Sequence, residues 1–132
     1  MSPDSRERDL VKCEDMRIHA ERAIQYLDDR SLEQFLSNDM VQSAVIRCIE
    51  VIGEAARQVS EGTRRRSPVI PWTLIVGMRN ILAHDYGAVN LDRIYEVVQS
   101  RLPELVGQLK AVISDLEEGV HWTDDQPNQD GQ

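Results

Sequence analysis

Residues 38–61 read NDMVQSAVIRCIEVIGEAARQVSE. Val41, Val45, Cys48, Ile52, Ala55 and Val59 recur at spacings of 4, 3, 4, 3 and 4, the period of one helical face. Ser43, Arg47, Glu50, Glu54, Arg57 and Glu61 repeat that spacing as a polar stripe. Met40, Ala44, Ile49, Val51 and Ala56 carry apolar surface beyond one face. A helix this wide in its apolar side is expected at the centre of a bundle, with neighbours on two sides. Asn38-Asp39 supplies its N-terminal cap. Aromatic residues make up only 5% of the chain, where sheets favour aromatic and β-branched side chains. The fold class is therefore all-α, an up-and-down bundle of about five helices.

Outward from that helix, Leu10, Cys13, Met16 or Arg17, Ala20, Ala23 or Ile24, and Leu27 predict a first helix over about 7–29. Ser31-x-x-Gln34 has capping-box spacing and starts a short second helix through Leu36. The third helix runs to about Glu61, and Gly62 to Pro71 reads as a loop that holds Arg64, Arg65 and Arg66. Pro71 suits the first position of a fourth helix ending near His84 or Asp85, with Gly87 as its stop. Asn90 caps a fifth helix to about Glu118, in which Pro103 should produce a bend near Ser100. Residues 1–118 form one helical domain. Residues 119–132 are polar and acidic without periodicity and read as a disordered tail.

The 132 residues fit one domain with a core of its own. No apolar run of about 18 residues is present to span a membrane, and the charged N-terminus lacks the apolar stretch of a secretory signal. Cys13 and Cys48 fall inside helices without a CxxC or Cys/His cluster, which suits buried thiols in a reducing cytoplasm. The net charge of −8 argues against a general nucleic-acid binder. Six of the acids follow Lys110, after which there is no base; without them 17 acidic side chains face 15 basic ones. Such a body can carry a local basic patch, but not strong non-specific attraction along a phosphate backbone.

Chemistry concentrates in Met78 to Gly87, MRNILAHDYG. Thr73, Gly77, Asn80 and His84 form one stripe on the fourth helix, spaced 4, 3 and 4. Glycine costs about 1 kcal/mol against alanine in a helix interior, so Gly77 suggests close approach by another backbone or a ligand. Arg79 lies about 140° from His84 on an ideal helix; the two converge through the arginine stem, a loosened last turn or a second subunit. Arginine, histidine and an amide suit metal-independent RNA cleavage. Histidine titrates where a base must take the ribose 2′-hydroxyl proton. Arginine grips phosphate oxygens with a planar, permanently charged fork. No carboxylate cluster has the spacing of a two-metal nuclease, and no metal site is expected.

Arg79-Asn80-Ile81-Leu82-Ala83-His84-Asp85-Tyr86 reads Arg-x4-His-x-Tyr and resembles the HEPN superfamily, more narrowly the HepT toxin family. Ile52-Gly53-Glu54-Ala55-Ala56-Arg57, the Ile70-Pro71-Trp72 lead-in and Leu102-Pro103 are similar to that family too, over roughly 8–116. The resemblance implies a ribonuclease toxin of a type VII-like toxin–antitoxin system, with Arg79 and His84 as catalytic pair and Asn80 beside them. It implies a homodimer whose two motif helices meet at a cleft, and a cognate minimal nucleotidyltransferase antitoxin, expected in a hetero-oligomer. That partner, using ATP and Mg2+, transfers AMP to Tyr86; the chain itself needs no cofactor.

Plainer readings stand beside these. His84 alone suits a helix C-terminal imidazole favoured by the dipole; Arg79 alone suits a surface ion pair and Tyr86 a half-buried ring. Arg64, Arg65 and Arg66 suit a solvated loop as well as contact with RNA or antitoxin. Glu54 and Arg57 suit a helix-surface ion pair, with support of Arg79 as the alternative role for Glu54. Trp72 fits a core anchor better than a base-stacking platform. His19 and His121 receive no role. The alternative to an enzyme is a non-catalytic HEPN-type binding module for a nucleotidyltransferase; the set of Arg79, Asn80, His84 and Tyr86 favours the enzyme.

Overall fold

The computed structural model describes residues 3–83 and 89–119, without the side chains of 3, 4, 79–81 and 83. Among the described residues there is helix and no strand. In chain order the helices are α1 (Pro3–Leu27), α2 (Leu32–Leu36), α3 (Asp39–Arg57), α4 (Glu61–Arg66), α5 (Trp72–Ala83), α6 (Leu91–Glu96) and α7 (Leu102–Glu118). A π-helical segment, Val97–Arg101, joins α6 to α7. α3 packs against α1 on one side and α5 on the other, and α1 packs also against α7. The width of the apolar side of α3 has this cause. Val45, Cys48, Ile49, Ile52, Ala55 and Ala56 are all buried. Met40, in the first turn, departs from the expected apolar surface and is 81% exposed.

α1 starts before the expected Glu7. Cys13, Met16, Ala20, Ala23 and Leu27 form its buried stripe, while Arg17 faces outward between Glu14 and Glu21 at 2.7 and 2.9 Å. Asp28 ends it with φ 54°, a left-handed conformation that a short polar side chain tolerates. The Arg30 guanidinium donates to the Tyr26 carbonyl at 2.7 Å. Both arms of the Ser31/Gln34 capping box are made, at 3.1 and 2.8 Å. α2 buries Phe35 against Tyr95, ring centroids 5.8 Å apart. The Tyr95 hydroxyl donates to the Arg30 carbonyl at 2.8 Å.

Two expectations are corrected. The third helix ends at Arg57, and the segment read as a loop is the short helix α4. Ser60 caps α4, and Asp9, fully buried on α1, locks the break: its carboxylate accepts the Ser60 amide at 3.0 Å, the Ser60 hydroxyl, and the Thr63 hydroxyl at 2.6 Å. The fifth helix runs on to Glu118 as expected, and its disturbance near Ser100 is a π-helical segment, Val97–Arg101. Proline has no amide hydrogen, and its ring clashes with the carbonyl four residues back. Ahead of Pro103 the chain widens by one residue, so that the Leu102 amide donates to the Val97 carbonyl, five residues away. α7 stops at Glu118, where Gly119 turns left-handed at φ 76° and Arg6 donates to the Leu116 carbonyl at 2.8 Å. Residues 120–132, which contain the expected tail and His121, lie outside the described residues.

Candidate active site

α5 carries the start of the motif, and its sequence fixes its seat. Trp72 is buried at its start and donates its ring N–H to the Ser67 carbonyl at 3.0 Å, the core anchor expected of it. The Ile75 amide donates to the Pro71 carbonyl at 3.0 Å, so Pro71 stands just ahead of the first turn. Ile75 is buried, and Val76, Met78 and Leu82 pack partly against the core. Thr73 and Leu74 are exposed. α5 therefore packs against α3, with Thr73 and Leu74 exposed among the described residues. A β-carbon added at Gly77 would meet nothing within 4 Å. The close approach that this glycine suggests does not come from within the described chain.

Arg79 and Asn80 lie in the last turns of α5. By helical register, Asn80 follows Gly77 by three residues and Arg79 follows Trp72 by seven. Their side chains lie outside the described residues, as do His84, Asp85, Tyr86 and Gly87. The chain returns at Val89, and Asn90 caps α6 by accepting the Arg93 amide at 3.1 Å. Between α5 and the α6–α7 run lies a groove of about 460 Å³. Leu74, Ile75 and Met78 form one wall, and Arg93, Val97, Leu102 and Leu105 line the other. A shallower, mostly apolar depression continues over Pro71, Leu74 and Gly77.

The supporting candidates separate. The Arg64 guanidinium is occupied: it donates to the carbonyls of Val59, Ala56 and Arg57 at 3.1, 2.9 and 3.0 Å, capping the end of α3. Arg65 lies 3.4 Å from Glu61 in a solvent-exposed pair, and Arg66 is exposed at the end of α4. Glu54 accepts from Arg57 at 2.7 Å and from Gln58 at 3.1 Å, the surface pair expected of it. His19 lies with Nδ1 2.9 Å from the Asp15 carbonyl.

Cys13 and Cys48 are buried free thiols; burial pushes Cys13 up to about 12 and raises Cys48 as well. Among the described residues no three His, Cys, Asp or Glu side chains gather as metal ligands, and no helix is long and apolar enough to cross a membrane. The sequence reading passed over Arg93, because one arginine on a short helix has no motif around it. Its position across from α5 becomes visible only when the helices are packed.

The family model described as "Ribonuclease HepT-like" matches residues 16–112. "Putative RNase MJ0125" of Methanocaldococcus jannaschii is 35% identical over 104 residues, which cover 79% of this chain and 90% of that one. "Putative RNase TTE0752" of Caldanaerobacter subterraneus is 35% identical over 83 residues, 63% of this chain and 74% of that one. "Probable ribonuclease HepT" of Thermococcus cleftensis is 36% identical over 78 residues, 59% of this chain and 71% of that one. No solved structure matches significantly. The family match runs from within α1 to within α7 and takes in the whole motif; the chain belongs to the HepT-like ribonuclease family.

Proposed function

We propose that the chain is the toxin of a type VII-like toxin–antitoxin pair, a cytoplasmic, metal-independent endoribonuclease. The observation that carries this reading is the Arg-x4-His-x-Tyr motif, which starts on α5 inside the region matching the ribonuclease family. His84 takes the proton from a ribose 2′-hydroxyl, and the freed oxygen attacks the adjacent phosphorus. Arg79 holds the phosphate oxygens on which charge builds. Asn80 orients the phosphate or the base. The 5′-oxygen leaves with a proton, and the product is a 2′,3′-cyclic phosphate.

The proposed assembly is a homodimer, with two motifs facing one cleft. The proposed control is a nucleotidyltransferase antitoxin, which consumes ATP with Mg2+, joins AMP to the Tyr86 phenol and releases pyrophosphate. The added phosphate charge then repels RNA phosphate from Arg79.

The test is incubation of the purified protein with total RNA, with and without EDTA, beside the His84→Ala and Arg79→Ala proteins. Cleavage that persists in EDTA, leaves cyclic phosphate ends and falls by roughly 10² or more in each variant supports the reading. Cleavage at the wild-type rate in both variants defeats it.

A further inference from the structure

Arg93, on the outer side of α6, lines with Met78 each of three depressions that border α5. In two of them it is the only charged side chain among the described residues. Its guanidinium has no hydrogen bond or ion pair among the described residues, although Glu96 follows one turn later. Arg17, Arg47, Arg57 and Arg65 meet carboxylates and Arg64 meets carbonyls; of the other described arginines, Arg93 is the one that lines all three depressions. An unpaired guanidinium over an apolar floor is a fork without its anion. Its neighbour Met78 directly precedes Arg79 in the chain, so the fork stands beside the segment that carries the motif.

We infer that Arg93 binds a backbone phosphate of single-stranded RNA next to the one that is cleaved, and so positions the strand beside the motif helix. The inference rests on the ribonuclease reading for its substrate. On its α6–α7 side the groove holds Asp92, Glu96 and Glu104 against Arg93 and Arg101, a net acidic lining that disfavours phosphate. In the depression over Gly77 and Pro71 Arg93 is the only charge among the described residues.

The experiment uses a fluorescein-labelled 12-nucleotide single-stranded RNA and the His84→Ala protein, so that binding is read without cleavage. Adding Arg93→Ala should weaken binding roughly 10- to 150-fold, the range for a hydrogen bond to a charged group. The slope of log K against log salt should fall by about 0.7, one phosphate contact on a single strand. Arg93→Lys should recover part of the affinity, keeping the charge without the fork, and Arg22→Ala, a control on α1, should bind as its parent does. In the His84 protein, Arg93→Ala should raise KM with kcat nearly unchanged. Unchanged affinity or slope in Arg93→Ala overturns the inference, as does an equal loss in Arg22→Ala. A loss of dimer in Arg93→Ala also overturns it, because Arg93 then serves a protein interface. RNA that binds through Arg93 without being cut by the wild type would defeat the ribonuclease reading and leave this inference standing.

Discussion

Tyr86 follows His84 by two residues and precedes Gly87, and the segment from Met78 to Gly87 offers no serine or threonine to compete as acceptor of a nucleotidyl group. With ATP, Mg2+ and the cognate nucleotidyltransferase, intact-mass spectra should show one or more AMP additions, mapped to Tyr86, with RNase activity lost while the fold remains. Tyr86→Phe should refuse the AMP; its full neutralisation without ATP would mean that the antitoxin acts by steric cover. Cys13 gives a second test at this scale. Its folded pKa of about 12 lies above the ordinary 9.0 because burial disfavours the thiolate. The unfolded thiol ionises first as pH rises, so this contribution to stability is full below about 9 and is lost toward 12. The unfolding midpoint of the wild type should fall more steeply from pH 8 to 11 than that of Cys13→Ala. A parallel pair of curves would contradict the burial. The stripe of α1 was legible from Cys13 onward, but its first member was not. Asp9 stands four residues before Cys13, in register with the buried positions, and a carboxylate there is tolerable only with donors from elsewhere in the fold. Those donors, on Ser60 and Thr63, are more than 50 residues away and invisible to local periodicity.

At the scale of elements, the end of α3 shows what the pattern conceals. Val59 continues the apolar spacing and is buried, so periodicity alone carries the helix on to Glu61. The backbone instead breaks after Arg57, because Ser60 caps a new helix and Asp9 holds that cap. Ser60 has the side chain of a helix cap, but the longer apolar stripe runs past it. Asp9→Ala removes the acceptor for three donors and should cost about 2–4 kcal/mol in a urea titration, since buried donors left unsatisfied keep their desolvation penalty. A cost below about 0.5 kcal/mol, within the usual scatter of surface substitutions, would remove Asp9 from this role. Arg64→Ala should cost less, about 1 kcal/mol, because the freed Arg57 carbonyl is exposed and those of Val59 and Ala56 are only part-buried. Capping of α2, α3 and α6 was read correctly, since Ser31, Asn38 and Asn90 bond within three residues of themselves. The π-helical segment was legible only as a disturbance near Ser100. Proline announces a missing bond, not how neighbouring turns absorb it.

At the scale of the whole molecule, the all-α class and the central place of α3 followed from the sequence because both depend on surface periodicity, which a single chain displays. What a single chain does not display is why apolar side chains on and before α5 stand exposed. Leu74 is 55% exposed and Val69 67%, beside the apolar depression over Gly77. Nothing within the described chain requires glycine at 77, since a β-carbon there would meet only open space. Gly77→Ala should therefore favour the isolated subunit by about 1 kcal/mol of helix propensity. In the proposed homodimer the same methyl enters the gap between two α5 helices, so sedimentation equilibrium should show a weaker dimer although the subunit melts later. Gly77→Trp should keep its helical circular dichroism, sediment as a monomer and lose RNA cleavage, because one motif without its partner leaves the cleft open to water. This pairing of a more stable fold with a weaker assembly separates an interface from a merely tolerated glycine. A Gly77→Trp protein that sediments as a dimer and cuts RNA at the wild-type rate would place the dimer contact away from α5.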